Sequence, residues 1–253
     1  MEFTGEILSL QRAGLEEVSA ALDEMESGGE QVNLLLVRRE REPRAEFARL
    51  EELLARARGM GITVEEGSKT DLWRMSKVAG TPDVLALVGR PSDGTLEEVC
   101  ARGGLVWLLA GARYAVNIGY SIRTAEVSGA AAVIVDTDIS GVERKTAIRT
   151  SMRADRFIPV LWEDAAESVS AWRESGFRAI AIEDVGEREP WDVDLTGDVM
   201  LIVGGEHDGV PEAILEQCDD VVNIPMAGFV PSYNLQAPLA VVALEALRQR
   251  RSE

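Results

Sequence analysis

Apolar residues in this chain gather into short runs, and stretches with a helical apolar stripe separate those runs from one end to the other. Residues 8–27 read as an amphipathic helix that ends near Gly28 and Gly29. The run 32–37 (VNLLLV) reads as a buried strand. Pro43 then opens a helix whose Phe47, Leu50, Leu54 and Ala57 share one face, and Gly59 and Gly61 stop it. Residues 62–64 and 84–88 are further strands, with a helix at 72–78 between them. The stretch Gly89-Arg90-Pro91-Ser92-Asp93-Gly94 has the strongest linker composition in the chain. We therefore expect a small N-terminal α/β unit over 1–92 and a second domain over 93–253.

The second domain opens on Thr95 with Glu98 three residues later, the pattern of a capping box. Strands are expected at 104–109, 131–135, 158–161, 178–182, 199–203 and 221–224. Helices are expected at 118–128, 163–175, 210–217 and 234–250. Such alternation predicts an α/β fold with a mostly parallel sheet covered by helices on both faces. The acidic stretch 183–198 reads as a solvated loop.

Composition narrows the function classes. No apolar run is long enough for a membrane span, and the acidic N-terminus lacks the apolar core of a secretory leader. Cys100 and Cys218 stand far apart without metal or redox spacing, so a reduced, cytoplasmic protein is expected. His207 is the only histidine, which excludes histidine-rich metal sites; no metal is expected. The net charge of −18 runs against the basic character usual in nucleic-acid proteins. Both halves are acidic. Local basic clusters nonetheless occur at Arg38, Arg39, Arg41 and Arg44, and at Arg144, Lys145, Arg149, Arg153 and Arg156. They are candidate contacts for a polyanion, against the alternative of ordinary helix surface.

Three polar groupings follow predicted strands of the second domain, where open parallel sheets bind ligands. The first runs from Asn117 through Gly119 to Arg123-Thr124-Ala125. Taken alone, it could be a helix with an asparagine cap and one exposed arginine. The second is Gly204-Gly205-Glu206-His207-Asp208-Gly209, where two glycines allow close backbone approach to a ligand, or simply form a tight turn. The third runs from Ile224-Pro225-Met226 to Ser232-Tyr233-Asn234, at the entry of an apolar helix that Ser232 or Asn234 could cap. No glycine fingerprint of a dinucleotide fold follows any strand, which removes an oxidoreductase reading.

In order and spacing, these three groupings resemble the motifs of the SpoU (TrmH-like) branch of the SPOUT superfamily of RNA methyltransferases. That family reads Asn-x-Gly-x-x-x-Arg-Thr-Ala, then Gly-x-Glu-x-x-Gly, then Ile-Pro-Met-x-Gly-x-x-x-Ser-Leu-Asn before a last helix. The resemblance covers residues 95–253, with departures at Tyr114-Ala115, Gly205, Tyr233 and Leu235-Gln236. It implies S-adenosylmethionine as cofactor and a ribose 2'-hydroxyl of ribosomal or transfer RNA as acceptor. It also implies a deep trefoil knot in the C-terminal domain, a small α/β/α substrate-binding first domain, and a homodimer. Arg123 would act on the acceptor hydroxyl, with Asn117, Glu206, Ser232 and Asn234 orienting it. Gly204, Gly205, Ile224, Met226, Tyr233 and Asn234 would line the cofactor site, largely through backbone groups. A SPOUT enzyme that methylates a base, and a catalytically silent RNA-binding homologue, are the alternatives.

Overall fold

The structure is a computed structural model that describes residues 10–40, 47–76 and 78–251. Its contacts divide the chain into two compact units, Met1–Ser92 and Asp93–Glu253.

The first unit holds β1 (Gln11–Ala13), α1 (Leu15–Glu26), β2 (Val32–Arg38), α2 (Phe47–Gly59), β3 (Thr63–Gly67), α3 (Lys69–Met75) and β4 (Val84–Val88). Its sheet runs in the order β1-β4-β2-β3. β2 and β3 are parallel, and β4 is antiparallel to both of its neighbours. Val18 and Leu22 of α1, Leu50 and Leu54 of α2, and Leu35 and Val37 of β2 share one core. One expectation needs correction here. Residues 11–13 are not the start of a helix; they pair with Leu85–Leu87 along the outer edge of β4. Covering that open edge outweighs the weak helical periodicity of the segment. The helix start expected at Pro43 lies outside the described residues.

The second unit holds α4 (Leu96–Arg102), β5 (Leu105–Ala110), α5 (Ala115–Val127), β6 (Ala132–Val135), α6 (Gly141–Thr150), β7 (Val160–Leu161), α7 (Ala165–Glu174), β8 (Arg178–Ile182), β9 (Val199–Gly204), α8 (Glu212–Leu215), β10 (Asp220–Val222) and α9 (Gln236–Arg250). Its six strands are all parallel, in the order β10-β8-β9-β5-β6-β7. β5 and β9 are central and buried along their whole length. Their side chains alternate between two cores. Leu105, Trp107 and Leu109 pack beneath α5 and α9. Val106, Leu108 and Ala110 pack on the other face, with Val169 and Trp172 of α7. Because β5 pairs directly with β9, the loops that leave their carboxyl ends emerge side by side.

Two further features differ from the sequence expectation. α6 was not among the expected helices. Only Ala147 of it is fully buried, so its apolar stripe is faint, but a Ser140/Glu143 capping box starts it. The stretch 183–198 is not merely solvated: Pro190, Val193 and Leu195 are buried in it. Gln249 and Arg250 of α9 bond to the backbone of Val193 and Leu195 and hold it down.

Gly119 explains how α5 and α6 come so close. A β-carbon there would sit 2.4 Å from the carbonyl oxygen of Ala147 and 2.6 Å from Cβ of Thr150. Gly119→Ala is therefore expected to destabilise the domain by about 1–3 kcal/mol through overpacking. That corresponds to a drop of roughly 2–10 °C in Tm. An unchanged melting curve would contradict the packing described here.

Candidate functional site

The site is assembled at the carboxyl ends of β5, β9 and β10. Each of these strands ends in a loop that carries one of the three polar groupings. Asn117 lies in the first turn of α5, half-buried. Its Nδ2 donates to Oε1 of Glu206 at 2.7 Å. Nδ2 of Asn234 donates in turn to Oδ1 of Asn117 at 3.3 Å. The other Glu206 oxygen accepts the backbone N–H of Arg113 at 3.0 Å. Both carboxylate oxygens of Glu206 are thus engaged, and both ends of the Asn117 amide are used with their polarity fixed.

The rim adds partners that sequence reading missed. Arg113 pairs with Asp208 at 2.6 Å. The Tyr114 hydroxyl lies 3.0 Å from Nε2 of His207, with the two rings edge to face. Arg113 and Tyr114 stand just ahead of the first motif, His207 and Asp208 fill unspecified positions of the second, and the Arg113 contact to Glu206 uses main chain, which no side-chain pattern reveals.

The glycines have a structural cause. A β-carbon on Gly204 would meet the backbone of Gly209 at 2.0 Å, and one on Gly205 would meet the carbonyl oxygen of Gly111 at 2.1 Å. The missing side chains make room for protein backbone. The third loop is different. Among the described residues, no backbone N–H of 224–233 donates to another backbone carbonyl. The Tyr233 hydroxyl donates to the Pro225 carbonyl at 3.0 Å and braces the loop. Ile224 is half-buried, whereas Met226, Ser232 and Tyr233 are exposed. Asn234 caps locally as well, accepting from the backbone N–H of Gln236.

Ser232 and Arg123 do not join the cluster. Arg123 is exposed on α5 and makes no hydrogen bond or ion pair among the described residues. Six residues past Asn117, it is about 9 Å further along the helix axis and turned by roughly 120°. It lies instead on a stripe with Val116, Tyr120 and Val127, all exposed.

Other ionisable groups of the domain narrow the chemistry. Burial, then repulsion from Asp164, raises the Asp136 carboxyl above its ordinary value. Burial pushes the Cys218 thiol up to about 11, and Cys100 is raised by burial as well. Neither cysteine is an activated nucleophile. Among the described residues, no cluster of His, Cys, Asp and Glu could hold a metal ion.

The candidate RNA contacts fall into two situations. Arg38 is 3.0 Å from Asp83 and also donates to the Glu40 carbonyl. Arg39 is paired with Glu66. Arg41 and Arg44 lie outside the described residues. Arg144, Lys145 and Arg149 all sit on α6.

Residues 104–244 match the SpoU rRNA methylase family. Over 250 residues the chain is 30% identical to the 23S rRNA (guanosine-2'-O-)-methyltransferase RlmB of Xanthomonas axonopodis pv. citri, covering 96% of this chain and 99% of that protein. The RlmB of Pseudomonas putida is 32% identical over 213 residues, covering 80% of this chain and 84% of that one. Among solved structures, the SpoU methyltransferase AviRb from Streptomyces viridochromogenes is similar at a TM-score of 0.58 and 26% identity, covering 96% of this chain and 90% of that chain. The same protein in complex with AdoMet gives a TM-score of 0.57, at the same identity and coverage.

The bond between Asn117 and Glu206 is testable by a double-mutant cycle. Asn117→Ala and Glu206→Gln are each expected to lower stability by about 1–2 kcal/mol, because each leaves a half-buried polar group without its partner. Combined, they should cost less than the sum, with a coupling of at least about 0.5 kcal/mol. Strict additivity in thermal melts would show that the bond does not tie the loops together.

Proposed function

This chain belongs to the SpoU rRNA methylase family, and on that premise we propose that it transfers a methyl group from S-adenosylmethionine to a ribose 2'-hydroxyl of RNA. The observation that carries the proposal is the joining of Asn117, Glu206 and Asn234, one from each motif, where β5, β9 and β10 end. The names of its relatives make 23S ribosomal RNA the first substrate to test.

The loops fit the cofactor. An adenine edge pairs well with main-chain groups, and among the described residues no backbone N–H of 224–233 is spent on a backbone carbonyl. Backbone groups of Gly204, Gly205, Ile224, Met226, Tyr233 and Asn234 would hold S-adenosylmethionine, which supplies an electrophilic methyl when bound. The family's trefoil knot through the C-terminal segment belongs to the same proposal.

The acceptor hydroxyl is a poor nucleophile until its proton leaves. Each Glu206 oxygen already accepts a hydrogen bond and Nε2 of His207 faces the Tyr114 hydroxyl, so the proton passes to a phosphate oxygen of the RNA beside the acceptor ribose. Arg123 has unspent donors and orients the hydroxyl and a neighbouring phosphate. Asn117, Glu206 and Asn234 are positioning residues, and Ser232 completes the acceptor side of the third loop.

A homodimer is part of this reading. Val116, Tyr120 and Val127 on α5, with Val241 and Leu244 on α9, leave apolar side chains exposed on two helices that pack together. A two-fold dimer that covers them brings Arg123 to the subunit boundary. The first unit would carry RNA to this site. Two free thiols support a cytoplasmic setting. Among the described residues, no helix is long and apolar enough to cross a membrane.

Incubation with methyl-labelled S-adenosylmethionine and a 23S ribosomal RNA transcript should place label at a linkage that resists alkaline hydrolysis, because that cleavage needs a free 2'-hydroxyl. Label recovered on a base, or no transfer to ribosomal or transfer RNA, would sink the proposal. Arg123→Ala should slow single-turnover transfer by about 10²–10⁴ with cofactor affinity unchanged. A folded variant that methylates at the wild-type rate removes Arg123 from the mechanism. Light scattering should give a dimer, and Tyr120→Glu with Leu244→Glu should give monomers; a wild-type monomer at high concentration would refute the pairing.

A further inference from the structure

The second unit carries an open cleft of about 490 Å³ lined by Arg144, Lys145, Ile148, Arg149, Arg153 and Trp162. It runs along the outer side of α6 to the residue that follows β7, the edge strand. Two strand spacings, about 10 Å, separate β7 from β5. The cleft therefore lies apart from the Asn117 cluster but within the same domain.

Most of its cations are not neutralised by carboxylates. Several arginines elsewhere are matched to carboxylates: Arg12 with Glu30, Arg56 with Asp23 and Glu26, Arg173 with Asp219, Arg188 with Asp220. Lys145 and Arg149 are exposed, and neither has a carboxylate within ion-pair distance among the described residues. The guanidinium carbon of Arg144 lies 4.8 Å from the centre of the Trp162 ring. A ring face steadies the cation without neutralising it and consumes none of its N–H donors. Arg153 completes the rim, paired with Asp155 at 3.2 Å. Met152 and Arg153 have φ of 58° and 62°, and they are the non-glycine residues with positive φ among the described residues. Two successive left-handed residues are strained where a glycine would be relaxed, and strain of this kind gathers at functional positions.

We propose that this cleft binds the phosphodiester backbone of the RNA substrate, as an anchoring site separate from the Asn117 cluster. The inference rests on the reading of this chain as an RNA methyltransferase. Unneutralised cations in a row along one helix suit a run of phosphates. The Arg144–Trp162 stack offers a guanidinium plane and free donors at one end. The acidic remainder of the surface repels RNA, so contact concentrates where charge is locally reversed.

The test uses full-length protein carrying Lys145→Gln with Arg149→Gln, a pair that removes two charges and keeps good helix formers. Binding of a 23S ribosomal RNA transcript is measured against salt, beside methyl transfer and S-adenosylmethionine binding. Removing two phosphate contacts should lower the slope of log affinity against log salt by about 1.4–1.8. KM for RNA should rise at least roughly fivefold, while kcat, cofactor affinity and Tm stay at wild-type values. If the wild type methylates the transcript and the variant keeps the same salt slope and KM, the cleft inference is overturned and the methyltransferase reading stands. If the wild type neither binds nor methylates RNA, that reading falls and takes the cleft with it. If kcat falls with KM unchanged, the two residues act on catalysis, and the anchoring role is equally refuted.

Discussion

The Asn117 amide is the constraint on which the site depends. It holds Glu206, 89 residues away, through its donor end, and Asn234, 117 residues away, through its acceptor end. The bond to Glu206 cannot form unless the loops after β5 and β9 emerge side by side, and the pairing of Ala110 with Gly204 sets that geometry. The buried parallel sheet thus supplies a rigid base on which loops of unrelated sequence meet. Gly204 and Gly205 serve the same end. A side chain on either would force apart backbone segments that the bridge between Asn117 and Glu206 requires to be close.

This arrangement divides labour among the polar residues. A carboxylate whose two oxygens both accept hydrogen bonds is a fixed acceptor, and it orders donors around it. Glu206 therefore shapes the site, and groups whose donors are unspent are left to meet a ligand. Arg123 is such a group, but it points from the exposed stripe of α5 that also carries Val116, Tyr120 and Val127. The same helix contributes Asn117 to the internal bridge on one side and Arg123 to an apolar face on the other. Its pitch separates the two roles, so an interface and a site can be built on one element without competing for the same residues.

Much of this was legible in the sequence, for physical reasons that differ by element. β5 and β9 read clearly because a strand buried on both faces must be apolar at every position. The three polar groupings read clearly because their order and spacing carry a family resemblance, and the bridge uses the side chains that the motifs name. Other features were hidden. α6 buries one alanine fully and so has almost no apolar period. β1 owes its existence to an open edge of β4, a partner far away in sequence. Val193 and Leu195 are isolated apolar positions in an acidic stretch, and only Gln249 and Arg250 reveal why they are buried. The main-chain contact from Arg113 to Glu206 has no sequence signature at all.

Net charge was the strongest sequence argument against an RNA partner, and the structure changes its meaning. A total of −18 says little about any one surface, because screening confines electrostatic influence to about 8–10 Å at physiological salt. What matters locally is whether cations are neutralised. Carboxylates lie beside Arg38, Arg39 and Arg56, which therefore add little attraction for a polyanion. Lys145 and Arg149 escape that neutralisation, and Arg144 is held by a ring that has no charge to offer it. An acidic envelope around a small unneutralised patch gives weaker binding than a uniformly basic surface would. It also gives a binding mode with few registers, because every other approach is repelled. For an enzyme that must present one ribose to a site fixed by Asn117, restricting the approach in this way favours specificity over affinity.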